Sequence, residues 1–191
     1  LVIGRIGEHQ GQLFDSEQGV EFDGFSPQRK SEYSSGRRVA HEALKLLAGA
    51  AAAVTRNGRL PEWPAGYRGT ISHSREIAVA MVASTSDCHG IGLDVVKKNA
   101  VSAKVGTRIM LAEEMLPPRG FSETDWRAIV FCAKESVYKA VYPEIGEFLE
   151  FRDVEIKMDE SDRSFTASTV EKGSSTAVVR AGIGFVSDFE D

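Results

Sequence analysis

The sequence predicts an α+β fold of two similar halves, each a helix packed on an antiparallel sheet. Three observations lead there. The periodic segments run helix, strands, helix, strands. Glycine- and proline-bearing breaks separate them. The 191 residues suit two small halves sharing a large interface better than two independently stable domains. The boundary is expected within 96–122, giving an N-terminal half over 1–100 and a C-terminal half over 101–191, although no literal sequence repeat marks them.

Residues 31–53 read as the first helix, with Ala40, Ala43, Leu44, Leu47 and Ala48 on one face and Ser31 or Ser34 near its start. The stretch 58–69 holds two prolines and three glycines and reads as a loop. Strands are expected at 70–74, 77–84 and 90–96. A weak helix at 101–111 and a break at 116–120 precede a strong helix opened by Ser122. That helix is expected to run to about Tyr142, before Pro143, with Ser122 and Asp125 as a capping box. Alternation then predicts strands at 151–158, 164–170 and 177–186, with turns at 159–163 and 172–175.

Composition excludes several function classes. A net charge of -5 argues against a general nucleic-acid binder. No window approaches the roughly 18 apolar residues of a membrane span, and residues 1–11 lack a basic-then-apolar leader pattern, so the expectation is a cytoplasmic protein with no membrane partner. Cys88 and Cys132 have no Cys or His neighbours at zinc-ligand spacing and read as ordinary thiols. Basic residues concentrate at 28–38, 56–68 and 97–108, which keeps a small polyanionic ligand feasible despite the overall sign.

The chemistry-bearing segments are three. On the helix containing Phe131-Cys132-Ala133-Lys134-Glu135-Ser136-Val137-Tyr138-Lys139, with Trp126 at zero, Ile129, Val130, Ala133, Val137, Ala140 and Val141 form the apolar stripe. Glu135 and Lys139 fall at about 180° and 220° on the other side. Taken alone, that pair is a surface contact stabilising the helix by about 0.2–0.5 kcal/mol. Asp94 sits in the apolar run Gly90-Ile91-Gly92-Leu93-Asp94-Val95-Val96, where a carboxylate needs a cation or hydrogen-bond donors, or else marks a strand end. Asp94 and Glu135 are both hard oxygen ligands of the type that holds Mg²⁺. His73, in Thr70-Ile71-Ser72-His73-Ser74, suits contact with a phosphate or acid-base work near neutral pH. A hydrolase triad of Ser72, His73 and Asp94 lacks the strand-turn-helix nucleophile elbow.

Together these segments resemble the 4′-phosphopantetheinyl transferase superfamily, in particular its larger pseudo-dimeric members that serve siderophore, peptide and polyketide synthesis. The resemblance rests on the order G-T-I-S-H-S, G-L-D-V-V, F-C-A-K-E-S-V-Y-K-A, with Trp63-Pro64-Ala65-Gly66 and Gly36-Arg37-Arg38-Val39-Ala40-His41-Glu42-Ala43-Leu44 upstream. It is specific over about residues 30–158 and only general beyond Met158.

The resemblance implies halves related by a pseudo-two-fold, with a coenzyme A site in the cleft between them. It also implies Mg²⁺ on the pyrophosphate, and attack by a serine of an acyl or peptidyl carrier protein that releases 3′,5′-ADP. It further implies Asp94 and Glu135 as metal ligands, Lys139 on the pyrophosphate, and His73 at the 3′-phosphate region, with Ser72 a further coenzyme A contact; Glu135, directly or through a metal-bound water, is then the best-placed base. Arg37 and Arg59 would be further phosphate or adenine-side contacts, with Arg38 and Arg56 as their replacements in a shifted register. Residues 101–115 would meet the carrier. A single chain supplying both halves implies a monomer. In one respect the chain departs from most large members: Val96 stands where a second acid follows the aspartate, which leaves two protein carboxylates for the metal and keeps a non-catalytic coenzyme A-binding relative as the alternative.

Overall fold

The computed structural model describes residues 1–7, 13–170 and 183–187. These fall into two compact units, Leu1–Val95 and Val96–Asp191, and each is an α+β arrangement of a long helix on an antiparallel three-stranded sheet.

In the first unit, β1 (Val2–Arg5), a 3-10 turn (Asp15–Glu17) and the short α1 (Val20–Asp23) precede the long α2 (Pro27–Ala48). The elements β2 (Thr55–Asn57), β3 (Leu60–Glu62), β4 (Tyr67–His73) and β5 (Ile77–Ser84) follow. The helix α2 starts and stops earlier than 31–53, because its caps are stronger than its periodicity. Ser26 accepts a hydrogen bond from the Arg29 amide and Pro27 fills the first turn. Gly49, at φ 81°, takes the left-handed conformation that ends the helix. The alanines after it lie outside the helix. Val39, Ala40 and Leu44 pack with Val54, Ala78 and Ala80 to make the core, whereas Leu47 and Ala48, expected on that face, are exposed.

The sheet runs β1-β5-β4, all antiparallel, with Ser72 opposite Val79 and His73 opposite Ala78. The strand β1 was not expected from sequence. The predicted loop at 58–69 instead contains the turn of the β2–β3 hairpin at Gly58, β3 itself and the start of β4. A methyl group at Gly69 would run into the Trp63 indole, so only glycine allows that ring to lie on the strand. The third predicted strand, 90–96, forms no backbone ladder. Two glycines weaken it as a strand, and the Leu93 amide donates instead to the Thr70 hydroxyl at 3.3 Å.

In the second unit, α3 (Ala103–Ile109) and a 3-10 turn (Ala112–Glu114) precede the long α4 (Glu123–Ile145). A further 3-10 turn (Phe151–Asp153) and the strands β6 (Val154–Asp159), β7 (Ser164–Thr169) and β8 (Ile183–Phe185) complete it, in the order β6-β7-β8, antiparallel. Ser122 caps α4 by accepting from the Asp125 amide at 3.1 Å, and its hydroxyl donates to the Asp125 carboxylate. Pro143 does not end this helix. It sits within the last turn, and termination falls to Gly146 at φ 65°. The α4 face carrying Ala133 and Val141 packs on Val154, Ile156, Phe165 and Ala167. A second cluster joins Val101, Ile109, Met110, Trp126 and Val130, and Val96 packs against it. The turn at 172–175 and most of the last predicted strand lie outside the described residues.

The same internal clasp occurs in both units. In the first, Glu17 is buried and accepts from the Phe14 amide (3.0 Å), the Val54 amide (2.7 Å) and the His41 ring (2.7 Å), while its carbonyl accepts from Tyr33 Oη. In the second, Glu114 accepts from the Leu111 amide (2.7 Å), the Ile156 amide (2.7 Å) and Lys134 Nζ (2.6 Å), while its carbonyl accepts from the Trp126 indole. Each clasp ties a 3-10 turn to the long helix and to the chain beyond it. The aromatic and the nitrogen donor, Tyr33 with His41 and Trp126 with Lys134, stand the same distance apart along the helix in each. Burial raises the Glu17 carboxyl, but the His41 hydrogen bond, the Val54 amide, the His41 charge and the Phe14 amide together outweigh it and hold the group below its ordinary value. Burial holds Lys134 below its ordinary value against the opposing pull of Glu114.

Candidate functional site

In the first unit the candidate residues converge on the end of β4. Residues alternate sides along a strand, so Ser72 and His73 point opposite ways. Ser72 is buried, and its hydroxyl donates to Asp94 Oδ1 at 2.6 Å. His73 Nε2 lies 3.2 Å from the Arg29 guanidinium and 3.9 Å from Glu32. A guanidinium only donates, so Nε2 can take part in that contact only as the acceptor. The triad Ser72, His73, Asp94 is therefore not formed, because the serine bonds the aspartate directly and the histidine faces elsewhere.

Arg29 leads to a second feature. Its guanidinium lies over the Phe25 ring, as does that of Arg56, while Arg37 lies over Tyr33 and Lys30 over Phe22. Phe22, Phe25 and Tyr33 pack edge to face or tilted within 6.0 Å of one another. The result is an aromatic pedestal ringed by cations. Arg37 is buried and donates to the Thr55 carbonyl, yet its Nε–H has no hydrogen-bond partner among the described residues. A buried donor without an acceptor carries a desolvation cost that an anionic ligand removes.

Sequence reasoning named Arg37 and kept Arg56 in reserve, but missed Arg29, whose signal was its place in the basic stretch ahead of Arg37. Arg59, by contrast, is exposed in the β2–β3 turn. Arg38 lies along β1, where a side chain at Gly4 would meet its guanidinium.

In the second unit, Glu135 and Lys139 stand one helical turn apart on α4, half-buried, beside the ring cluster of Tyr138, Tyr142 and Phe148. Their neighbour Lys134, which the helical pattern places at about 80°, at the border of the apolar stripe, is buried in the clasp with Glu114. Two of the apolar residues expected at a carrier-facing surface are core instead: Ile109 is 4% and Met110 3% exposed. Within that segment Val105 and Met115 are exposed, and Leu116, just beyond it, is 82% exposed.

The donor chemistry fits a magnesium ion in type, since Asp94 and Glu135 offer hard carboxylate oxygens and Mg²⁺ needs only one or two of these. Among the described residues no group of three or more His, Cys, Asp or Glu is arranged to hold a metal, and Val96 is packed against an apolar cluster. Also among the described residues, no helix is long and apolar enough to cross a membrane.

Comparison with known proteins adds the family. Residues 22–83, which hold the pedestal, Ser72 and His73, match the 4′-phosphopantetheinyl transferase N-terminal domain. Residues 90–182, which hold Asp94, Glu135 and Lys139, match the 4′-phosphopantetheinyl transferase superfamily. Among curated relatives, 4′-phosphopantetheinyl transferase Svp of Streptomyces mobaraensis is 31% identical over 77% of this chain and 62% of its own length. 4′-Phosphopantetheinyl transferase PptT of Mycobacterium tuberculosis is 29% identical over 75% of this chain and 65% of its own. Holo-[acyl-carrier-protein] synthase of Bacillus cereus strain B4264 is 29% identical over 43% of this chain and 76% of its own. The chain thus spans a little under two thirds of the length of the larger relatives it matches. With both of its units matched in order by models of one family, the chain belongs to the 4′-phosphopantetheinyl transferase superfamily, among its larger members.

Proposed function

We propose that this chain transfers the 4′-phosphopantetheine arm of coenzyme A to a serine of an acyl or peptidyl carrier protein, releasing 3′,5′-ADP. One observation carries the reading. Consecutive residues of β4 join a braced carboxylate to a cationic platform, Asp94 through Ser72 on one side and Arg29 with its aromatic pedestal through His73 on the other. A metal-bound diphosphate joined to an adenosine phosphate needs both.

The two units are related by a pseudo-two-fold in this proposal, and the substrate lies in the cleft between them. His73, Arg29 and Arg37 bind the 3′-phosphate and adenine side, with Arg56 rather than the exposed Arg59 completing the set. Lys139 contacts the pyrophosphate. Asp94 and Glu135 would hold Mg²⁺, which neutralises charge on the pyrophosphate when bound. The carrier serine oxygen forms a bond to the β-phosphorus as the bridging P–O bond to the adenosine side breaks. The Glu135 carboxylate accepts the serine proton, and Lys139 and His73 stabilise the charge that gathers on the departing 3′,5′-ADP. The carrier approaches over Met115 and Leu116. Both halves come from one chain, so the protein acts as a monomer, and it works in the cytoplasm, where its substrates are.

A second reading, binding of coenzyme A without transfer, is favoured by Val96 alone. Incubating the chain with coenzyme A, Mg²⁺ and an apo-carrier, then measuring the carrier's intact mass, separates the two. A gain of one phosphopantetheine is expected. An unchanged carrier together with measurable coenzyme A binding supports the second reading instead.

A further inference from the structure

We infer that Ser72 is a positioning residue for the Asp94 carboxylate, acting on the affinity of the site for its divalent cation and not on the phosphates of coenzyme A. The inference rests on the reading of Asp94 as a metal ligand.

The segment carrying Asp94 has no ladder of its own. It is fastened to β4 by side chains of alternate residues, which share one side of the strand. Thr70, buried, accepts the Leu93 amide at 3.3 Å, and Ser72, 6% exposed, donates to Asp94 Oδ1 at 2.6 Å. The second contact has the length of a charge-assisted O–H···O⁻ bond. A serine hydroxyl has one hydrogen, so while it holds the carboxylate it has none to give a phosphate oxygen.

A carboxylate has more lone pairs than this bond uses, so bracing Oδ1 orients Asp94 without exhausting it. Partners of that kind fix a ligand's rotamer and typically change metal affinity or activity by about 10–100-fold when removed.

Mn²⁺ binding, followed by electron paramagnetic resonance in the presence of 3′,5′-ADP, tests this without turnover. Wild type, Ser72→Ala, Ser72→Thr and Asp94→Asn would be compared, together with KM for coenzyme A at saturating metal. Ser72→Ala should weaken Mn²⁺ binding by about 10–100-fold, Ser72→Thr should restore most of it, and KM for coenzyme A should hold steady. Unchanged Mn²⁺ affinity with a raised KM would overturn the assignment and return Ser72 to the phosphates. Wild type and Asp94→Asn binding Mn²⁺ equally would overturn it by a different route, since Asp94 would then be no ligand. Should the alanine variant misfold, Ser72→Cys, similar in size and a weaker donor, repeats the comparison.

Discussion

Glu114 and Lys134 meet inside the second unit at 2.6 Å, each side chain 1% exposed. Two further donors and one further acceptor complete the pair: the Leu111 and Ile156 amides on the carboxylate and the Ile109 carbonyl on the ammonium. Removing one partner of a buried pair strands the other charge, at a cost of about 3–5 kcal/mol. Glu114→Ala should therefore lose about that much in chemical denaturation. The double variant Glu114→Gln, Lys134→Met, which leaves no bare charge, should recover a large part of the loss.

The corresponding acid in the first unit makes stability depend on pH. The folded Glu17 carboxyl is held below its ordinary value of 4.5, so the folded state binds fewer protons than the unfolded one as pH falls past 4.5. Its contribution is complete above that value and is lost as pH drops through the lower folded value. Denaturation midpoints measured from neutral pH downward should fall more steeply for the wild type than for Glu17→Gln. Parallel curves would show that the clasp contributes nothing to acid sensitivity.

These clasps mark the limit of what the sequence discloses. Two halves, the long helix opened by Ser122, and strands β5 and β7 follow from periodicity, capping and motif order, whereas the bond from Ser72 to Asp94 does not. The repeat between the halves does not, because its members differ in kind: His41 stands for Lys134 and Tyr33 for Trp126, and the remaining bonds go to backbone amides that any residue supplies. Buried Lys134 was hidden because a lysine at the border of the apolar stripe reads as solvated unless its partner on another element is known. Residues 90–96 looked like a strand because they are apolar, yet they join no ladder, and the Leu93 amide finds the Thr70 hydroxyl. Arg29 was missed because only the fold brings it to His73.

For the transfer itself, Asp94→Asn and Glu135→Gln remove charge while keeping shape. Each should lower the rate of carrier modification at least about a hundredfold, the loss expected when one stabilising electrostatic group is removed. Thermal midpoints should change little, since neither residue belongs to a core cluster. A near-normal rate by intact-mass time course would remove that residue from the mechanism.

Arg37 separates binding from chemistry. It is buried, stacked on Tyr33, and has an Nε–H with no acceptor among the described residues. A charge-assisted contact with a phosphate is worth about 1.5–3 kcal/mol. Arg37→Ala should weaken coenzyme A binding in calorimetry by about 10–150-fold. The exposed Arg59 serves as its comparison, and Arg59→Ala should leave affinity near wild type.

The segment between α3 and α4 gives a last contrast, because neighbouring apolar residues there do opposite work. Met110 is packed with Ile109, Trp126 and Val130, so Met110→Ala should cost about 2–5 kcal/mol of stability through the cavity it leaves. Leu116 is 82% exposed, and Leu116→Glu should change stability by no more than about 0.5 kcal/mol. If the carrier's apolar helix contacts this side chain, the same charge raises the apparent KM for the carrier while KM for coenzyme A is unaffected. Equal carrier KM values for Leu116→Glu and wild type would place the docking surface elsewhere on the chain.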